Sequence, residues 1–211
     1  MFRLFAFLIG YAIGTLQTSY FVGKFYGIDI RDHGSKNAGM TNVTRTLGKK
    51  AGIFVFFVDV LKTMLAFYIA ASVFYDGGVS FSSWSFARWG GVGFNLILPG
   101  VYAGVGTIIG HCFPIFLKFR GGKGIACTLG LIIMLDIRVM AITFAVGFIV
   151  AHFSRYISLA SMTITLLVPI LLLIFGYDIE IVGITAFITA LTWFLHRSNI
   201  KRLTDGTENK I

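Results

Sequence analysis

Apolar runs recur along this chain of 211 residues at lengths that a water-soluble globule does not use: 2–25, 53–74, 92–113, 124–137, 139–153, 157–175 and 179–195. A helix needs about 20 apolar residues to cross a hydrocarbon core of about 30 Å, and lipid leaves no partner for backbone groups outside a helix or a closed barrel. The expectation is an all-α, polytopic membrane protein with seven transmembrane helices. Six is the competing count, because the fourth and fifth runs are short. At about 1.5 Å per residue they must thin the bilayer, extend past the visible run, or partly re-enter. Composition agrees: 56% of residues are hydrophobic and 13% charged, where a soluble domain carries about a quarter. That hydrophobicity excludes disorder, and with Cys112 and Cys127 as the only cysteines there is no disulfide scaffold. The first run is interrupted by Arg3, Gln17 and Lys24 and lacks a basic leader or small-x-small cleavage site, so it reads as a retained helix.

Lys and Arg number 18 against 9 Asp and Glu, a formal charge of +9. Under the seven-helix reading, every basic residue except Arg3, Lys62, Arg88 and Arg138 falls on one side of the membrane. The positive-inside rule makes that side cytoplasmic, with the N-terminus outside and the C-terminus in the cytoplasm. The widest extramembrane stretches are 28–52 inside and 75–91 outside; the outer one carries Trp84 and Trp89, suited to headgroup depth. No soluble segment or low-complexity tract interrupts the pattern, so residues 1–211 are expected to form a single domain.

Three polar constellations fall on the basic side. The first is Gly34-Ser35-Lys36-Asn37-Ala38-Gly39-Met40-Thr41-Asn42-Val43-Thr44-Arg45. Its small residues permit close backbone approach, and its hydroxyls, amides and cations suit a phosphate. Asn42-Val43-Thr44 also fits a glycosylation acceptor, a match that a cytoplasmic location sets aside. The second is Gly110-His111-Cys112-Phe113-Pro114, then Lys118-Phe119-Arg120-Gly121-Gly122-Lys123-Gly124 leading into the fourth run. A glycine-rich turn with a lysine at a helix mouth is an anion trap. It is not a Walker loop, since Gly124 stands where Ser or Thr is needed to bind magnesium. The third is His196-Arg197-Ser198-Asn199-Ile200-Lys201-Arg202-Leu203. If the last helix continues, His196 and Asn199 share a face at i, i+3, while Lys201 and Lys210 read as lipid-contacting tail charges.

Within the second run, Asp59 and Lys62 are i, i+3 neighbours at membrane depth, where charges face the protein interior or a cavity. Either they pair structurally or they serve a site, for example by orienting a histidine or lysine. There is no Gly-x-Ser-x-Gly elbow and no His-x4-Asp arrangement of the kind used with acyl-CoA. His33, His111, His152 and His196 have no carboxylate or cysteine at ligand spacing along the chain, so no metal is expected.

Taken together, Gly-His-x-x-Pro with Lys-Phe-Arg-Gly-Gly-Lys-Gly, the Gly-Ser-x-Asn-x-Gly-x-Thr-Asn loop and the terminal His-Arg-x-Asn-Ile-x-Arg-Leu resemble the acyl-phosphate:glycerol-3-phosphate acyltransferases, the PlsY family of bacterial inner membranes. The resemblance covers nearly the whole chain in motif order. It implies seven transmembrane helices, a cytoplasmic active site, and transfer of a fatty acyl group from acyl phosphate to the sn-1 hydroxyl of glycerol 3-phosphate, giving lysophosphatidic acid for phospholipid synthesis. The chain departs from the family pattern at Lys36 and Met40, where Gly and Ala are usual, and at Ile125-Ala126-Cys127 in place of Val-Ala-Thr. At position 36 the usual glycine supplies a backbone conformation that residues with a Cβ adopt less readily.

An acyl phosphate carries its own leaving group, so the enzyme's tasks are positioning and charge neutralisation. Lys123, the backbone of Gly121, Gly122 and Gly124, and Ser35 are expected to bind one phosphate. Arg45, His196, Asn199 and Arg202 are expected to bind the other, with Asn37, Thr41 and Asn42 completing the substrate site. The catalytic set is His196, His111, Asn199, Ser35 and Lys123. A neutral histidine can take the hydroxyl proton, His196 ahead of His111, and the leaving phosphate is an equal candidate for the base. The expected partners are glycerol 3-phosphate, fatty acyl phosphate and membrane lipid, with no nucleic acid, metal or cofactor. The rival reading is an organic-anion transporter or channel, motivated by the basic loops, the short helices and the intramembrane Asp59 and Lys62.

Overall fold

The structure, a computed structural model, describes residues 1–74 and 94–211; Trp84, Trp89 and Arg88 lie outside the described residues. These are all helix, turn and loop, with no strand among them. The helices are α1 (Phe2–Gly14), α2 (Thr18–Phe25), α3 (Met40–Leu47), α4 (Lys49–Phe74), α5 (Phe94–Cys112), α6 (Ile125–Leu135), α7 (Ile137–Ser154), α8 (Ile157–Ile174), α9 (Ile179–Leu195) and α10 (Arg197–Thr204), with 3-10 turns at Ile30–Asp32 and Ile115–Leu117. Five segments are long and apolar enough to span a membrane: Phe2–Phe25, Lys49–Phe74, Ile97–Leu117, Ile137–Ser154 and Ile157–Ile174. Counting α9 with α10, bent by 58° where they join, there are up to 6. The chain divides into two compact units, Met1–Leu135 and Asp136–Ile211.

In the first unit α1 and α5 pack backbone to backbone, and their glycines make this possible. A Cβ added at Gly10 or Gly14 would meet the Ala103 or Thr107 carbonyl oxygen at 1.9 or 2.3 Å. Conversely, one at Gly106 or Gly110 would meet the Phe7 or Tyr11 oxygen at 2.1 or 2.4 Å. Both helices thus present Gly-x-x-x-Gly, the small-residue spacing that lets membrane helices approach without a hydrophobic driving force. Ala6, Ala66, Ala70 and Ala103 extend this close-packed seam to α4.

The short fourth run is α6, only 11 residues long, or about 16 Å. Eight of its residues, including Cys127, Thr128, Leu131 and Leu135, are buried, as expected for a helix apolar on all sides. It starts partway down the bundle: Gly124 packs on Ile108 and Cys112, and Gly130 on Val60 of α4. Protein surrounds it, so it does not need the length of a lipid-facing span.

The first run is one span made of two helices. It breaks at Thr15 to Gln17, all but Leu16 buried, and α4 supplies both members of a charge pair to the break. The Lys62 ammonium donates to the Leu16 carbonyl at 3.0 Å, at the negative end of α1, while Asp59 Oδ1 accepts from Thr18 Oγ1 at 2.9 Å at the start of α2. Each charge meets the helix terminus of opposite polarity.

In the second unit α7 buries a single stripe, Val139, Thr143 and Gly147, at i, i+4, i+8, and packs on α8, which packs on α9. Asp136 caps α7 through the Arg138 N–H at 2.7 Å and accepts from Tyr177 Oη at 3.0 Å.

Candidate active site

The first loop is built by one buried amide. Both Nδ2 hydrogens of Asn42 go to backbone carbonyls, Ile30 and His33, each at 3.0 Å, and its Oδ1 accepts from the Ser35 N–H at 2.8 Å. Asn42 therefore acts by holding Ser35 in place. Gly34 lies directly beneath it, where a Cβ would sit 2.3 Å from Asn42 Oδ1 on a backbone with φ +56. Lys36 adopts φ +59, so the left-handed turn usual with glycine survives the substitution. Ala38, buried with Ile30, Val43, Ala51 and Val55, anchors the loop to α3 and α4. Ser35 stays exposed and Asn37 half-buried. Thr41 and Arg45 stand on α3, Arg45 exposed and Thr41 half-buried.

The second loop folds back on the end of α5. The Gly122 N–H donates to the His111 carbonyl at 3.1 Å and the Gly121 N–H to that of Cys112 at 3.2 Å. These two donors are spent within the protein, and what the glycines supply is close approach. A Cβ at Gly122 would lie 2.2 Å from His111 Nε2 and 2.7 Å from the Ala38 oxygen. The two loops meet there. They meet again where Arg31, paired with Asp29 at 2.7 Å and lying over the Tyr20 ring, donates to the Leu117 carbonyl at 3.1 Å. The hydrogen-bonded Arg31 guanidinium pulls the Asp29 carboxyl down to about 2. Lys123, half-buried, follows directly, and α6 opens after Gly124 with the unpaired amides of a helix start.

Behind this loop sits a buried polar cluster. Lys62 Nζ lies 2.8 Å from Asp59 Oδ1 and 3.0 Å from His111 Nδ1, and the Gln17 amide donates to the His111 carbonyl. Linear spacing concealed that Asp59, His111 and Cys127 gather with ligand atoms within 4.8 Å of one another, the geometry a metal could use. The Lys62 ammonium is already bound to two of them and supplies the positive charge, and a divalent ion beside it would meet like-charge repulsion. The cluster reads as an ammonium site.

In the second unit the last helix does not run straight on. The His196 N–H is shared between the Thr192 and Trp193 carbonyls, which tightens the turn as the apolar α9 gives way to the basic α10. His196 Nδ1 lies 2.8 Å from the Thr192 oxygen. A carbonyl only accepts, so Nδ1 carries the proton and neutral His196 holds its lone pair on Nε2. His196 and Asn199 are both buried. Asn199 Nδ2 donates to Glu208 Oε1 at 2.7 Å, Arg202 Nε to Oε2 at 2.6 Å and Ser158 Oγ to Oε1 at 3.1 Å. Burial raises the Glu208 carboxyl, but the bonds from Asn199, Arg202 and Ser158 outweigh it and leave it below its ordinary value. Glu208 was not among the expected site residues; along the chain it is one of two acids, with Asp205, in an otherwise basic tail.

The structure thus brings Ser35, Asn37, Asn42, His111 and the Gly121–Lys123 turn into one neighbourhood in the first unit. It brings His196, Asn199 and Arg202 together in the second. Fold and site define a class: a multi-span helical membrane protein with glycine-rich polar loops. The chain matches the model of the family described as Glycerol-3-phosphate acyltransferase over residues 4–206. Relatives of that name include proteins of Alkaliphilus metalliredigens (strain QYMF), 38% identical over 100% of this chain and 97% of the relative, and Aquifex aeolicus (strain VF5), 34% identical over 100% of both. The crystal structure of PlsY (YgiH), an integral membrane glycerol 3-phosphate acyltransferase, in its glycerol 3-phosphate form superposes with TM-score 0.83 at 33% identity, covering 99% of this chain and 95% of that one. Its lysophosphatidic acid form gives TM-score 0.81. This chain belongs to the glycerol-3-phosphate acyltransferase family.

Proposed function

We propose that the protein transfers a fatty acyl group from acyl phosphate to the sn-1 hydroxyl of glycerol 3-phosphate, releasing phosphate and lysophosphatidic acid for phospholipid synthesis. The observation that carries this reading is the junction at Gly122, where the Ser35 loop and the Lys123 turn are packed against each other. Two anion-binding loops with a lysine and a helix start between them suit a reaction whose substrates are both phosphorylated. Ser35, Lys123 and the start of α6 hold one phosphate; Arg45, His196, Asn199 and Arg202 hold the other, with Asn37 and Thr41 beside them and Asn42 acting through Ser35. Because His196 presents its lone pair on Nε2, it is the protein's base for the hydroxyl proton, and the leaving phosphate is the alternative acceptor. His111, with Nδ1 against the ammonium, serves as a donor.

The reading includes a bacterial inner membrane location, seven crossings with α6 as the buried one, an outside N-terminus, a cytoplasmic C-terminus and active site, and one functional domain running through both units. The transporter alternative loses one of its motives, since Asp59 and Lys62 are bonded to each other and to the α1–α2 break. The test is purified protein in lipid with glycerol 3-phosphate and palmitoyl phosphate, without added metal. Lysophosphatidic acid should form, and an acyl-CoA should not replace the acyl phosphate; equal turnover with acyl-CoA refutes the donor assignment.

A further inference from the structure

Asp59 and Lys62, buried behind the second loop, have no part in the chemistry above, yet Lys62 holds the His111 ring, whose Nε2 edge lies against Gly122 where the Ala38 carbonyl of the first loop also packs. Lys62 has three N–H bonds, and the structure gives it three close acceptors: Asp59 Oδ1 at 2.8 Å, His111 Nδ1 at 3.0 Å and the Leu16 carbonyl at 3.0 Å. An ammonium donates only. The Nδ1 atom of His111 must therefore offer its lone pair, and the ring proton sits on Nε2. That edge faces the one spot where a side chain on Gly122 would collide with both the ring and the Ala38 carbonyl oxygen. An N–H directed there is attracted to the carbonyl oxygen of the first loop; a lone pair there repels it. Lys62 is 8% exposed, Asp59 1% and His111 3%, so the contact between the ammonium and Nδ1 is made away from bulk water.

We infer that Lys62 is a positioning residue for the transferase: through Nδ1 it locks His111 as a neutral Nε2–H donor at the Ala38–Gly122 junction, and this holds the two anion loops at one spacing. Asp59 is the counter-charge that keeps the ammonium in place, and Thr18 Oγ1 and the α1 carbonyls orient the pair. The chain of contacts runs from the break in the first span, through α4, to the ring and then to the loops. Phosphate grip, and with it KM for glycerol 3-phosphate, depends on a charge pair that never meets substrate. The kinetic part of this inference rests on the acyltransferase reading; the tautomer does not.

Full-length protein with 15N-labelled histidine, in nanodiscs, tests it by NMR. His33 and His152, both exposed, are replaced by glutamine, leaving two imidazoles. One should carry its proton on Nε2 and the other, His196, on Nδ1. In Asp59→Asn/Lys62→Met, which removes both charges together so that neither is left unpaired, the His111 signal should lose its single tautomer while His196 keeps its own. KM for glycerol 3-phosphate should rise about tenfold, the scale of one lost hydrogen bond, with the thermal transition near that of the parent. Two Nδ1–H imidazoles in the parent protein overturn the inference whether or not the variant folds. So does a variant with an altered tautomer and unchanged KM, or with an unchanged tautomer. Absence of acyl transfer in a parent showing the two opposite tautomers counts against the proposed function and leaves the ring assignment standing.

Discussion

Lys36 shows how a single position keeps its backbone shape against its side chain. At φ +59 it occupies the left-handed region, which costs a residue with a Cβ about 1–2 kcal/mol. The Lys36 N–H donates to the His33 carbonyl at 2.9 Å and the preceding Ser35 N–H to Asn42 Oδ1 at 2.8 Å, and these bonds hold the turn. Lys36→Gly should raise unfolding stability by about 1 kcal/mol without raising KM for glycerol 3-phosphate, as thermal unfolding in detergent and steady-state kinetics will show. Asp29 carries a pH dependence. Its folded value, about 2 against an ordinary 3.8, is depressed, so its contribution is complete above the ordinary value and is lost as pH falls from about 4 toward 2. Thermal transitions of the parent should fall faster over that window than those of Asp29→Asn, because the clasp from Arg31 to Leu117 loosens only where there is a carboxylate to protonate.

At the scale of the helix, α1 and α5 pack through interleaved glycines that replace side-chain contact with backbone contact. Gly106→Leu drives a side chain into the Phe7 carbonyl and should destabilise the protein by about 3 kcal/mol or more, at or above the usual range for overpacking; Gly183→Leu on α9, where nothing lies within 4 Å of the added Cβ, is the control. The measurement is the folded, monodisperse fraction after extraction and heating. The two spacings, Gly10 to Gly14 and Gly106 to Gly110, were visible along the chain, but only the tertiary structure showed that they face each other. The bend at His196 was not legible: no proline or glycine marks it, and it arises from a shared N–H at the end of α9.

For the molecule as a whole, the sharpest expectation concerns Lys123. Lys123→Ala should lower acyl transfer by at least about a hundredfold while insertion and folding persist, since a single cation bound to a phosphate is a charge-assisted contact of the stronger kind; near-normal turnover in the lipid-reconstituted assay removes the phosphate clamp. The apolar runs, the helical class, the three polar stretches and the family resemblance were all determined by the linear order of residues, because lipid punishes every unpaired backbone group and phosphate demands clustered donors and cations. Tertiary structure alone decided which donors are already spent. Gly121 and Gly122 bond to α5, Asn42 bonds to its own loop, Asn199 and Arg202 bond to an unsuspected Glu208, and Lys62 sets the proton on a histidine 49 positions away. Hydrogen bonds are short-ranged and saturable, and the partner that satisfies each group is chosen by distance in space, which the order of residues does not encode locally.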